Sequence, residues 1–87
     1  MDDKKIFALK EKLKDLLKKN PEDRETRFSL AALYYNFGNS FLRKKKFDEA
    51  IKNYLKSIEI DKKFVSSYYN LGNAYKEKED LEKAIKY

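Results

Sequence analysis

The sequence repeats itself with a period of 34 residues. Tyr34-Tyr35-Asn36-Phe37-Gly38-Asn39 falls on Tyr68-Tyr69-Asn70-Leu71-Gly72-Asn73, Phe41 on Tyr75, Phe47 on Leu81, and Ala50-Ile51-Lys52 on Ala84-Ile85-Lys86. From Ala31/Val65 to Asn53/Tyr87, nine of 23 aligned positions are identical, and Phe37/Leu71, Phe41/Tyr75, Phe47/Leu81 and Asp48/Glu82 keep their chemical type. A period of this length belongs to a supersecondary unit that buries its apolar face only against neighbouring copies. The chain therefore reads as a short stack of helical units.

Helical spacing supports that reading. Tyr34, Phe37, Gly38 and Phe41 lie three, four and seven residues apart and share one face. Glycine in mid-helix costs about 1 kcal/mol against alanine, so Gly38 and Gly72 call for a reason. Ala50 and Ala84 follow them by twelve residues each. Small residues on both helices of an antiparallel pair let the backbones approach, with Phe41 and Tyr54 filling the space beside them. A bulky side chain at Gly38 should push such a hairpin apart.

The same residues resemble the tetratricopeptide repeat (TPR). Its pattern is met in the first copy by Tyr34, Phe37, Gly38, Phe41, Ala50, Tyr54 and Ser57, and in the second by Tyr68, Leu71, Gly72, Tyr75 and Ala84. The likeness spans residues 31–87, with Lys62 standing where the family often has proline. It implies an all-α fold of antiparallel helical hairpins stacked as a short α-solenoid, with about five helices and the last one truncated. It also implies a groove lined by the first helices of successive repeats. Carried over position by position, the groove takes Ala32, Tyr35, Asn39 and Leu42 from the first copy and Ser66, Tyr69, Asn73 and Lys76 from the second. Of these, Tyr35, Asn39, Leu42, Tyr69, Asn73 and Lys76 are the expected partner-binding residues. Asparagine can bond both the N–H and the C=O of an extended peptide, and tyrosine offers a flat surface with a polar tip. Asn39 and Asn73 also suit the scheme by which some relatives clamp a C-terminal carboxylate. Tyr35 and Tyr69, however, stand where those clamps carry lysine or arginine.

Three units are expected: an amphipathic capping helix in 1–20, a TPR-like hairpin with an extended first helix in 21–63, and a second, incomplete repeat in 64–87. Ile6, Leu9, Leu13, Leu16 and Leu17 form one stripe of a helix over 3–19. Asn20 is expected to cap the next helix, with Pro21 in its first position and acidic residues behind it. That helix has no breaker except Gly38 up to about Lys45, which makes it longer than a TPR first helix. A third helix runs from Phe47 or Asp48 to Ile60 and a fourth from Phe64 to about Lys78. A turn at Glu79-Asp80 then leads into a fifth helix from Leu81.

Composition narrows the chemistry. The chain has no cysteine and no histidine, so disulfides, Cys/His zinc sites and His acid–base work have no residues to perform them. Carboxylates such as Asp48/Glu49 lie at helix starts, where acids stabilise the N-terminus, and no Gly-rich phosphate loop is present. Neither an enzyme nor a cofactor is expected. The net charge of +6 comes mostly from lysine, with Arg24, Arg27 and Arg43 the exceptions. That favours a solvated surface over a nucleic-acid face, since arginine is the better reader of phosphate and bases. It also suits an acidic protein partner. Arg43-Lys44-Lys45-Lys46 ends a helix, where cations are favoured. With no apolar run near the ~20 residues of a membrane span and no leader-like start, a cytoplasmic protein is expected. The function expected is a protein-interaction module holding a partner's peptide or helix. The alternative is self-association through the C-terminal repeat edge and the long helix.

Overall fold

The computed structural model describes residues 3–86, with side chains from residue 4. The beginning of the 1–20 unit and Tyr87 lie outside the described residues. Four helices follow one another: α1 (Asp3–Lys19), α2 (Arg24–Arg43), α3 (Phe47–Ile60) and α4 (Val65–Lys86), with no strand among the described residues. None of these helices is long and apolar enough to cross a membrane.

α3 is the centre of the packing. Phe47, Ala50, Ile51, Tyr54 and Ser57 are buried at helical spacing, and α3 packs against both α2 and α4, which also touch each other. Ala50, Ile51, Tyr54 and Ala74 form the core cluster, with Tyr35, Phe41, Leu42 and Leu71 packed around it. Gly38 does make room for α3, but for the Tyr54 ring and not for a backbone approach at Ala50. A Cβ built there would sit 2.5 Å from Tyr54 Cε1, so the close approach is of backbone to an aromatic ring.

α2 begins three residues later than expected. Its N-cap is Asp23, whose carboxylate accepts the Glu25 N–H at 3.3 Å and the Thr26 hydroxyl at 2.6 Å. Asn20 instead closes the end of α1, its N–H bonding to the Leu16 carbonyl at 3.0 Å. An aspartate that satisfies two donors outcompetes an asparagine three residues upstream. The early turns of α2, with Thr26 and Leu30 buried, lie beside the end of α3, where Arg27 Nε donates to the Ile60 carbonyl at 3.3 Å.

The α2–α3 turn is made without glycine. The Lys46 N–H reaches back to the Phe41 carbonyl at 2.9 Å and the Lys45 N–H to Leu42 at 3.0 Å, while Lys45 takes a left-handed φ of 60°. This pattern satisfies the last carbonyls of α2. It costs a lysine about 1–2 kcal/mol, offset by the packing of α3 that it permits.

The expected fifth helix is not separate. The turn foreseen at Glu79-Asp80 does not form, and residues 81–86 continue α4. Glu79 is the repeat counterpart of Lys45, so a turn there would again put a non-glycine residue in left-handed backbone. Little offsets that strain here, because Leu81 and Ile85 remain exposed, Ile85 at 78%. The continuous helix keeps its backbone hydrogen bonds and adds a Lys83–Glu79 ion pair at 3.0 Å.

Candidate functional site

α1 covers α2 lightly. Ile6, Leu13 and Leu17 are half-buried, while Leu9, Leu16 and Phe7 remain exposed. Lys10 bridges the two helices, its ammonium 5.3 Å from the Phe7 ring and 6.0 Å from the Tyr34 ring. Between α1 and α2 runs an open groove of about 1030 Å³, with Leu9, Leu13, Phe28, Leu33 and Phe37 on its walls. Sequence reading missed this groove. Phe7 off the α1 stripe, and Phe28 ahead of the repeat, were the signals for it.

α4 also touches α2, with Asn70 one repeat on from Asn36. Asn39 Oδ1 accepts the Tyr54 hydroxyl at 2.6 Å and Asn70 Nδ2 at 2.7 Å, and Asn70 also donates to the Tyr35 hydroxyl at 3.3 Å. The Tyr35 ring lies 6.1 Å from that of Tyr54 and 5.4 Å from that of Phe64. Three helices thus meet at one polar knot. A second knot is fully buried: Ser67 Oγ donates to Ser57 Oγ at 2.7 Å, and Ser57 Oγ donates to the Ala31 carbonyl at 2.8 Å. Burial pushes the Tyr54 phenol above its ordinary 10.0, while a hydrogen bond from Asn70 and the charge of Arg43 pull it the other way.

The expected groove residues divide by helix. On α2, Tyr35, Asn39 and Leu42 are half-buried and serve the interior, Leu42 against the core cluster and the other two in the polar knot. On α4, Tyr69, Asn73 and Lys76 are exposed, Tyr69 at 72%. They lie four and three residues apart on one side of the helix. Asn73 is the counterpart of Asn39 and Tyr69 of Tyr35, so the same positions hold the stack together in the first copy and face solvent in the second. Ala32 is half-buried and Ser66 exposed. Asn70 was not singled out from sequence, although its counterpart Asn36 made the Tyr-Tyr-Asn triplet plain.

Residues 38–79 match the family model of the TPR repeat, from Gly38 in α2 through α3 to Glu79 in α4. That segment is a TPR repeat. TPR repeats generally mediate protein–protein interaction, and the matched segment takes in all of α3 together with Asn39, Tyr54, Ser57, Ser67 and Asn70 of the two knots, while Ala31 and Tyr35 lie ahead of it. Searches of curated proteins and of solved structures returned no match.

Proposed function

We propose that this chain is a non-enzymatic interaction module that holds a peptide or helix of a partner protein along the face shared by α2 and α4. The observation that carries this reading is the exposed row of Tyr69, Asn73 and Lys76 beside the half-buried edge of Tyr35, Asn39 and Leu42. Tyr69 presents an amphipathic ring that packs against nothing large, the kind of side chain enriched in interface centres. Asn73 carries an amide able to pair with a peptide backbone in both directions. Lys76 and the +6 net charge suit an acidic partner, whose approach they would accelerate at low salt. In this reading α2 supplies the rigid wall, because Tyr35 and Asn39 are fixed by the knot, and α4 supplies the contacts.

A random-peptide library selected against the wild-type chain provides the probe. The selected peptide should lose at least about tenfold in affinity, or 1.4 kcal/mol, with Tyr69→Ala and with Asn73→Ala, and little with Lys52→Ala on α3. Equal affinity for all three variants would overturn the assignment of this face. The competing reading, self-association through the repeat edge, expects the mass in solution to rise with concentration without any peptide.

A further inference from the structure

The chain's few arginines are not scattered. Two of the three, Arg24 and Arg27 at the start of α2, line one open cleft of about 510 Å³ together with Lys62 and Lys63 of the α3–α4 turn. Arg27 is half-buried, and its Nε donates to the Ile60 carbonyl at 3.3 Å. That bond holds the guanidinium against the last turn of α3, while its two terminal amino groups make no hydrogen bond among the described residues. Arg24, Lys62 and Lys63 are exposed, and none of the four cations forms an ion pair among the described residues.

Two carboxylates share the cleft, Glu22 and Asp61. Asp61 is already engaged, since its Oδ1 accepts the Lys63 N–H at 3.0 Å. Four cations against two carboxylates leave a surplus of two positive charges in one place. α4 starts two residues after Lys63 and carries no acid in its first turn, whereas α2 has Glu25 and α3 has Asp48 and Glu49. A helix start without its own carboxylate gains from an anion brought to it. Phe28, 57% exposed, adds an apolar wall to the cleft, with the Phe64 ring 5.3 Å from its own.

We propose that this cleft binds a phosphorylated side chain of a partner protein. A phosphate monoester carries about −1.5 to −2 charges at pH 7, which matches the surplus. The planar fork of arginine pairs with two of its oxygens at once. Arg27, held from one side by a backbone carbonyl, has little rotamer freedom left to lose when it does so. A nucleic-acid strand fits less well. Its diesters carry one charge each and spread them along a backbone, whereas the cations here converge on a single cleft. Phe28 gives the carbon part of the phosphorylated residue a surface to lie on. The cleft shares no residue with the Tyr69–Asn73–Lys76 row, so the proposal does not rest on that reading.

The probes are blocked tripeptides with a central phosphoserine or phosphotyrosine, their unphosphorylated forms, and a short single-stranded oligouridylate. Each is titrated into the isotope-labelled full chain at constant ionic strength, and amide and arginine Nε spectra are followed. The expected result is saturable binding of at least one phosphorylated tripeptide, moving the Arg27 Nε signal and the amides of residues 24–28 and 61–63. The unphosphorylated forms should not saturate. Affinity should fall at least about tenfold with Arg24→Gln and with Lys63→Gln. It should hardly change with Lys52→Gln, which removes the same charge from an exposed site on α3. Binding should also weaken as pH falls through the phosphate's second pKa of about 6. Unchanged thermal melting shows that these surface variants fold. An equal loss with Lys52→Gln would overturn the proposal, because net charge alone would then be sensed. So would a lack of saturation at millimolar tripeptide. Tighter binding of the oligouridylate than of either phosphorylated tripeptide would also overturn it, and would make the cleft part of a nucleic-acid face.

Discussion

Gly38 and Gly72 hold the same position in the repeat, yet alanine should act on them in opposite directions. In both helices alanine recovers about 1 kcal/mol of helical propensity. At Gly72 nothing stands within 4 Å of the new methyl, so this gain is the whole effect. At Gly38 the methyl would lie 2.5, 2.7 and 2.9 Å from Cε1, Cδ1 and Cζ of Tyr54. The ring cannot swing aside cheaply, because it is fully buried and its hydroxyl is held by Asn39 at 2.6 Å. Overpacking of this kind costs about 1–3 kcal/mol. Because the propensity gain is common to both, Gly72→Ala should be the more stable variant by about that same 1–3 kcal/mol. Urea denaturation followed by helical circular dichroism measures each midpoint. Thermal melting should separate the pair by about 4–8 °C per kcal/mol for a domain of this size. Equal midpoints, or a Gly38→Ala chain more stable than Gly72→Ala, would refute the close approach of α2 and α3 as the reason for Gly38.

Three further outcomes follow from the turn, the buried knot and the buried phenol. Lys45→Gly should stabilise the chain by about 1 kcal/mol, read as a higher urea midpoint, because glycine adopts the left-handed φ of 60° without the strain borne by lysine. Ser57→Ala should cost about 1–3 kcal/mol in the same assay, since it strips the Ser67 hydroxyl and the Ala31 carbonyl of their buried partner. The Tyr54 phenol ionises above 10.0 in the folded chain, so the unfolded chain loses that proton first. Its contribution is full below pH 10 and falls as pH rises through and beyond that value. Tyr54→Phe should lose less stability than wild type between neutral and strongly alkaline pH, and a parallel decline of the two would contradict this.

Much of the fold was legible because a repeat states its hairpin twice. Gly38, Ala50 and Tyr54 marked where α2 and α3 touch, and the α3 limits followed from its apolar stripe. The fifth helix was misread because Leu81, Ala84 and Ile85 match the start of α3, while the burial that sustains a turn does not show in the sequence. Local pattern gave the similarity, and tertiary packing decided whether the chain would bend. At the start of α2, Asn20-Pro21 carried a strong capping signal, but Asp23 satisfied more donors. For the candidate site, alignment selected Tyr35 and Tyr69 as equals. Their difference depends on Asn70 and Phe64 reaching Tyr35 from elsewhere in the chain, which no local pattern encodes. The groove between α1 and α2 went unread for a related reason: how far one amphipathic helix covers another depends on their approach, not on their stripes.

The central claim is that α4 presents a partner-binding row at Tyr69, Asn73 and Lys76, backed by α2. Amide spectra of the isotope-labelled chain, recorded with the selected peptide, test it most directly. The largest shifts should cluster on residues 69–76 of α4 and 35–42 of α2. Shifts centred on Phe7, Leu33 and Phe37, with the α4 row unmoved, would instead place the partner in the α1–α2 groove and contradict it.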